Sequence, residues 1–164
     1  MVLGMTTFTL VHVALSLIGI LFGFVVVLGF LTAKPLNGWT GVFLASTVLA
    51  NVTGFLFPFH RFMPSHVIGI LSLIALAIAI FGRYQRHLAG GWRRSYVISS
   101  MIALYFNVFI LIVQLYEKVP ALKAIAPTQS EAPFKITQLT ALVLFVLLSI
   151  LATVRFRDER LHTA

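Results

Sequence analysis

Five apolar stretches follow one another along the chain, and the charged residues fall between them. The stretches cover residues 8–31, 41–57, 67–81, 96–116 and 136–154, and none has an Asp, Glu, Lys or Arg in its interior. An uncharged apolar run of about 20 residues is what a helix needs to cross the hydrocarbon core of a bilayer. The pattern therefore predicts an all-α fold, in which residues 1–164 form a single transmembrane domain with five membrane helices.

Proline and glycine mark the connections between these spans. Pro35 and the pair Asn37-Gly38 predict a tight turn after the first span, Pro58 ends the second, and Pro64 opens the third. The longest connection, residues 117–135, carries three prolines and is too short to bury a core of its own. Its apolar residues favour a structured loop over the outer mouth of the bundle, since long ordered loops often act as lids.

The distribution of Lys and Arg predicts the orientation. With five spans, one side of the membrane receives eight of these residues and the other side four. Positive loops stay in the cytoplasm, so we predict an N-terminus outside and a cytoplasmic C-terminus. The third span is only about 15 residues long, so a four-span structure in which it lies flat is the main alternative.

Composition agrees with a membrane protein and excludes several functions. The chain is 60% hydrophobic and 10% charged, where soluble proteins carry about 25% charged residues. The net charge of +8 is spread over short loops, which favours contact with anionic lipid head groups over nucleic acid. The absence of cysteine excludes disulfides, thiolate metal sites and covalent haem attachment. The spans also lack the mid-membrane carboxylate that usually marks an ion or proton pathway.

Three of the five histidines are predicted to lie near the outer face of the membrane. His12 falls about one turn inside the first span, while His60 and His66 bracket the connection between spans two and three. Glu117 ends the fourth span on the same side. Imidazole and carboxylate groups suit zinc, copper or iron, and two facing histidines suit b-type haem. We therefore predict a ligand site at these four residues, with His12, His60 and His66 as candidate ligands of a divalent metal or haem b.

Interfacial histidines are also common without any ligand, because they can reach water or head groups. The spacing of six positions from His60 to His66 does not match a helix-face metal motif. His12 is the strongest candidate, since it is the most deeply placed and a polar group in the membrane needs a partner.

Amide side chains recur on single helix faces. In the fourth span Ser100, Asn107 and Gln114 repeat every seven residues, and Asn51 follows Thr47 by four in the second. An amide in hydrocarbon must find a partner, so we expect Asn51, Asn107 and Gln114 to point into the bundle. Hydrogen bonding between helices is a better explanation for them than a ligand-lining role, since such polar contacts are common between membrane helices.

Two stretches carry a resemblance to known proteins, namely FPFHRFMPSH at residues 57–66 and VPALKAIAPTQSE at residues 119–131. Over nearly its whole length the chain resembles a group of small, uncharacterised five-span proteins of the bacterial inner membrane. The resemblance implies a multi-pass protein of the bacterial inner (plasma) membrane and implies no activity. Both stretches fall on the predicted outer face, where the histidines are.

The sequence leaves two main functions open. The first is a small integral membrane protein with a histidine-lined site for a metal, haem, quinone or lipid at the extracytoplasmic face. The second is a non-catalytic accessory or assembly subunit that packs against other membrane subunits or forms a homo-oligomer. Transport is a weaker third, because the spans lack ionisable residues and repeats. Catalysis has no positive support, since there is no nucleophile–base pair and no phosphate-binding loop.

Overall fold

The computed structural model describes residues 6–57 and 64–156, and the regular secondary structure of this part of the chain is all helical, which confirms the prediction of an all-α fold. A π-helical turn, Phe81–Gln85, continues the third helix. The helices, in chain order, are α1 (Thr7–Leu31), α2 (Asn37–Phe55), α3 (Pro64–Ile80), α4 (Trp92–Lys118), the short α5 (Pro120–Ile125) and α6 (Ala132–Arg155).

Four of these helical segments are long and apolar enough to cross a membrane, so the chain is that of a multi-pass membrane protein. They are Thr7–Leu31, Ser65–Gln85, Trp92–Lys118 and Ala132–Arg155. The second helix, α2, has sufficient length at 19 residues but is less apolar. Its polar side chains account for the difference, and the three most buried of them are Thr40, Ser46 and Thr47.

The third helical segment is longer than the sequence pattern predicts, because it continues past the apolar run. The segment extends to Gln85 and takes Arg83 into the helix. Arg83 is buried, and its guanidinium donates hydrogen bonds to the Tyr96 hydroxyl, at 3.1 Å, and to the Asn37 side-chain oxygen. A charged residue can therefore be buried at this helix end, because an aromatic hydroxyl and an amide oxygen accept its hydrogen bonds. The 21 residues of Ser65–Gln85 are enough to span the hydrocarbon core.

Close approach of α1 to α2 and α4 builds the core. Gly19 and Gly23 are both buried, and a Cβ placed on Gly23 would lie 2.4 Å from Leu104 Cδ1 and 3.1 Å from the Phe43 ring. Small-residue pairs at this spacing let membrane helices pack closely. Gly19 and Gly23 therefore pack α1 against other helices of the same chain. The largest fully buried side chains lie in the same core and include Phe43, Tyr96 and Leu104.

The connection from α4 to α6 folds back onto both helices. The Tyr116 hydroxyl lies 2.9 Å from Thr137 Oγ1, which joins the end of α4 to the start of α6. Gln129 Nε2 donates a 3.0 Å hydrogen bond to the Val113 carbonyl. These contacts order residues 117–135 and hold α6 against α4.

Candidate functional site

A cavity of about 530 Å³ lies between α1, α2, α3 and α4, at the end of the bundle where α1 begins and α4 ends. All four helices contribute apolar wall residues, and examples are Ile20, Phe55, Ile68, Ile110 and Leu111. Polar groups from the same helices interrupt this apolar wall. The cavity is therefore amphipathic, with hydrocarbon surface over most of its lining and a small number of hydrogen-bonding groups.

His12 is fixed within the wall of this cavity. Its Nδ1 lies 2.9 Å from Thr53 Oγ1, and the Thr53 hydroxyl is 2.7 Å from the Leu49 carbonyl. A threonine hydroxyl has one hydrogen, so when it donates to Leu49 it accepts from His12 Nδ1. The neutral imidazole then keeps Nε2 as its hydrogen-bond acceptor. An edge-on contact with the Phe57 ring, at 5.1 Å between centroids, further fixes the orientation of the imidazole.

Of the other three residues of the predicted histidine site, one lines this cavity. His66 is buried, lines the same cavity, and has its ring centroid 5.7 Å from that of Phe55. Glu117 is exposed at the end of α4, and its neighbour Lys118 lines the cavity in its place. His60 lies outside the described residues. The structure therefore brings His12 and His66 to one cavity.

All three predicted amides line the cavity as well. Asn51 Nδ2 donates to the Thr47 carbonyl at 2.8 Å and to Ser72 Oγ at 3.1 Å, which links α2 to α3. Asn107 Nδ2 lies 3.4 Å from Thr47 Oγ1, a long contact between α4 and α2. Gln114 is exposed and lies near the open end of the cavity, on the same helix as Lys118.

Several cavity residues were not found from the sequence. Ser72 and Lys118 line the wall, and Thr53 orients His12 from behind it. Serine and threonine hydroxyls in helices usually bond their own backbone, as Thr53 also does, so their position in the sequence gives little signal. Gly54 and Gly69 also line the cavity, and Gly69 lets the Phe55 ring approach α3 closely, since a Cβ on Gly69 would lie 3.0 Å from Phe55 Cζ.

Residues 6–57 and 64–156 do not contain a complete set of metal ligands. No group of three His, Cys, Asp or Glu side chains in this part of the chain is placed to hold a metal ion. The predicted set of His12, His60 and His66 includes a residue outside that part, so the metal and haem b sites remain predictions. What the described lining offers is two imidazoles, three amides and one ammonium group in an apolar cavity.

Comparison with known proteins adds no further constraint on this site. No protein-family model, curated protein or solved structure matches the chain. The functional conclusion therefore rests on the geometry and chemistry of the cavity.

Proposed function

We propose that this membrane protein binds a small amphipathic molecule, taken up from the bilayer, in the cavity between α1 and α4. One observation carries the proposal: hydrogen-bonding groups and apolar walls from four helices meet around about 530 Å³ of space. Ligand sites for small molecules are typically 300–1,000 Å³, mostly apolar, with a few polar groups that fix orientation. The volume and the lining both match that description.

The polar groups indicate which head group fits. Lys118 is the one charged side chain among the described lining residues, and Asn107 and Gln114 add amide donors nearby on α4. Ammonium and amide groups donate hydrogen bonds, so they favour a neutral or anionic head group that bears oxygen. His12 Nε2 adds an acceptor for a hydroxyl. A quinone or quinol, with carbonyl or hydroxyl oxygens on an apolar body, is the class that we propose.

We also propose that α2 crosses the membrane, which gives five spans with the N-terminus outside and the C-terminus in the cytoplasm of a bacterium. A helix of 19 residues is about 28 Å long, close to the roughly 30 Å thickness of the hydrocarbon core. The exposed face of α2 is apolar and includes Val42, Leu49 and Val52. Its buried polar face is covered by neighbouring helices, so α2 can lie at their depth. The Lys and Arg asymmetry supports the orientation.

A titration of the purified protein tests the binding proposal. A quinone with a ten-carbon tail should raise the thermal midpoint of unfolding, since a ligand at 100 times its Kd stabilises a protein by about 2.7 kcal/mol. Ile20→Trp, which fills the cavity, should abolish that shift. Leu21→Trp is the matched control, because Leu21 is the next residue on α1 and is 62% exposed on the outer surface.

Three results would contradict the proposal. The quinone could leave the midpoint unchanged, or both tryptophan variants could respond like the unmodified protein. Stabilisation by zinc, copper or haem in place of the quinone would instead support the metal-site prediction that includes His60.

A further inference from the structure

A second groove lies between α3 and α4, towards the end of the bundle opposite His12, and Phe106 stands between it and the first cavity, lining both. It encloses about 410 Å³ and is lined mainly by isoleucines, with Ile74 and Ile78 on α3 and Ile98 and Ile102 on α4. Ser95 and Ser99 form its floor on α4 and keep it open by their small size. The groove runs between two membrane helices, and apart from these two serines its lining is hydrocarbon.

The walls of this groove continue to an aromatic pair at the basic end of the molecule. Phe81 follows Ile78 by three residues, and Trp92 precedes Ser95 by three, so each extends one wall by a turn. The two rings contact each other at 5.1 Å between centroids. The Arg86 guanidinium lies 5.5 Å from the centroid of each ring. Two cation–π contacts therefore hold Arg86 against residues that lie one turn beyond the groove lining on each helix.

The turn between α3 and α4 is strongly basic, and neither of the acids among the described residues lies near it. Residues 83–94 hold four arginines, and residues 1–116 contain no Asp or Glu. Arg86 and Arg94 are exposed, and Arg93 Nη1 is buried without a hydrogen-bond partner in the described structure. The described acids, Glu117 and Glu131, lie at the other end of α4, about 40 Å away at 1.5 Å per residue.

From this arrangement we infer a binding site for one anionic glycerophospholipid. The phosphate lies at Arg86, and one acyl chain lies in the groove between α3 and α4. A guanidinium stacked on rings keeps its N–H donors at its edge, in a fork that matches the oxygens of a phosphate. The groove supplies apolar contact along the acyl chain that is attached to the same head group. The two halves of the site therefore fit the two halves of one molecule, and neither belongs to the cavity near His12.

Native mass spectrometry with defined lipids tests the inference. The protein is released from micelles that contain equal amounts of dioleoyl phosphatidylglycerol and dioleoyl phosphatidylcholine. We expect retention of one phosphatidylglycerol in preference to phosphatidylcholine. Arg86→Gln should reduce phosphatidylglycerol retention about fivefold, the usual effect of one basic contact near the surface, and leave phosphatidylcholine unchanged. The control Arg155→Gln removes an exposed arginine at the end of α6 and should leave the preference intact.

A second pair of variants tests the acyl-chain half. Ile98→Trp fills the groove and should reduce retention of both lipids, while Ile150→Trp, at a 57% exposed position on α6, should not. Equal losses in Arg86→Gln and Arg155→Gln would overturn the inference in favour of diffuse charge attraction. Undiminished retention in Ile98→Trp would overturn the acyl-chain placement. Full displacement of the lipid by inorganic phosphate would show a free-anion site in its place.

Discussion

At the scale of single residues, the polar part of the cavity depends on side chains that bond across helices. The bond between His12 Nδ1 and Thr53 joins α1 to α2, and the bond between Asn51 and Ser72 joins α2 to α3. Such contacts average about 0.6 kcal/mol between membrane helices, close to the thermal energy, so each one biases the orientation of a side chain and does not specify the fold. The bond to Thr53 therefore helps to hold the His12 imidazole against α2 in the cavity wall.

A double-mutant cycle measures the His12–Thr53 contact. Thr53→Val keeps the shape of the side chain and removes the hydroxyl, and His12→Phe keeps a ring without nitrogen. We expect a coupling of about 0.6 kcal/mol, and at most about 1.7 kcal/mol, in the free energy of unfolding. Unfolding in mixed micelles gives the four stabilities. A coupling of zero would mean that Thr53 does not orient the imidazole.

Much of the cavity could be anticipated at this scale, because a polar side chain within an apolar run stands out. His12, Asn51 and Asn107 were found in that way and line the cavity. Gln114 was expected to point into the bundle, yet it is exposed and lines the cavity near its open end. The periodicity of α4 gives the face of a residue but not how far the neighbouring helices extend beside it.

At the scale of helices, small residues decide how closely α1 approaches its neighbours. Gly23→Ala should destabilise the protein by about 1–3 kcal/mol, because its Cβ meets Leu104 and the buried Phe43 ring. Gly41→Ala is the control, since nothing lies within 4 Å of its Cβ position. That variant should be neutral or stabilising by up to about 1 kcal/mol through helix propensity. Equal effects at the two glycines, measured by unfolding in micelles, would refute the packing described for α1.

Hydrogen bonds to Glu131, in the connection before α6, make the stability of the protein depend on pH. Thr128 Oγ1 donates a 2.7 Å hydrogen bond to the Glu131 carboxylate, and the Ser130 N–H donates another at 3.1 Å. These bonds favour the ionised form and hold the pKa of Glu131 below its ordinary value. The folded pKa is the lower one, so the stabilisation is complete above the ordinary pKa and is lost as pH falls through the lowered pKa.

Thr128→Val should therefore raise the pKa of Glu131 towards its ordinary value, while Thr128→Ser, which keeps the hydroxyl, should not. Carboxyl-carbon NMR across the acidic range reports the titration of this one residue. An unchanged pKa in Thr128→Val would show that the threonine hydroxyl does not stabilise the carboxylate.

Helix type and order could be predicted from hydrophobic runs, but helix ends could not always be. The third helical segment continues through Phe81–Gln85 because Arg83 finds Tyr96 and Asn37 as partners. Those partners come from other helices, so no local pattern reveals them. The connection over residues 117–135 was expected to cover the cavity. Its Gln129 side chain bonds the Val113 carbonyl of α4, and its first residues, Lys118 and Val119, line the cavity wall.

At the scale of the whole molecule, the number of spans fixes the relation between the termini. Five spans place the N-terminus and the C-terminus on opposite sides of the membrane, and four spans place them on the same side. After Ala164, we expect a fused reporter that functions in the cytoplasm to be active and one that functions only in the periplasm to be inactive. A C-terminal fusion that is active only in the periplasm would contradict the proposed orientation. Matching sides for tags at both ends would contradict the crossing of α2.

The arrangement of the bundle determines where its two proposed sites lie. The cavity near His12 lies at the end that carries Lys118, and the proposed lipid site lies towards the other end, where Arg86 contacts Trp92. The sequence predicted a site at the first end because histidines and amides interrupt apolar runs there. The sequence did not predict the groove, because isoleucines on a membrane helix form the same pattern whether they face bulk lipid or line a groove.

The most direct test of the amphipathic cavity is a crystal structure grown from a lipidic phase that contains the ten-carbon quinone. The account predicts elongated non-protein density between α1 and α4. Its polar end should lie within hydrogen-bonding distance of His12 Nε2 or Asn107 Nδ2, and its tail should lie against Ile110 and Leu111. A cavity closed by its own side chains, or one that holds ordered water alone at saturating quinone, would contradict the account.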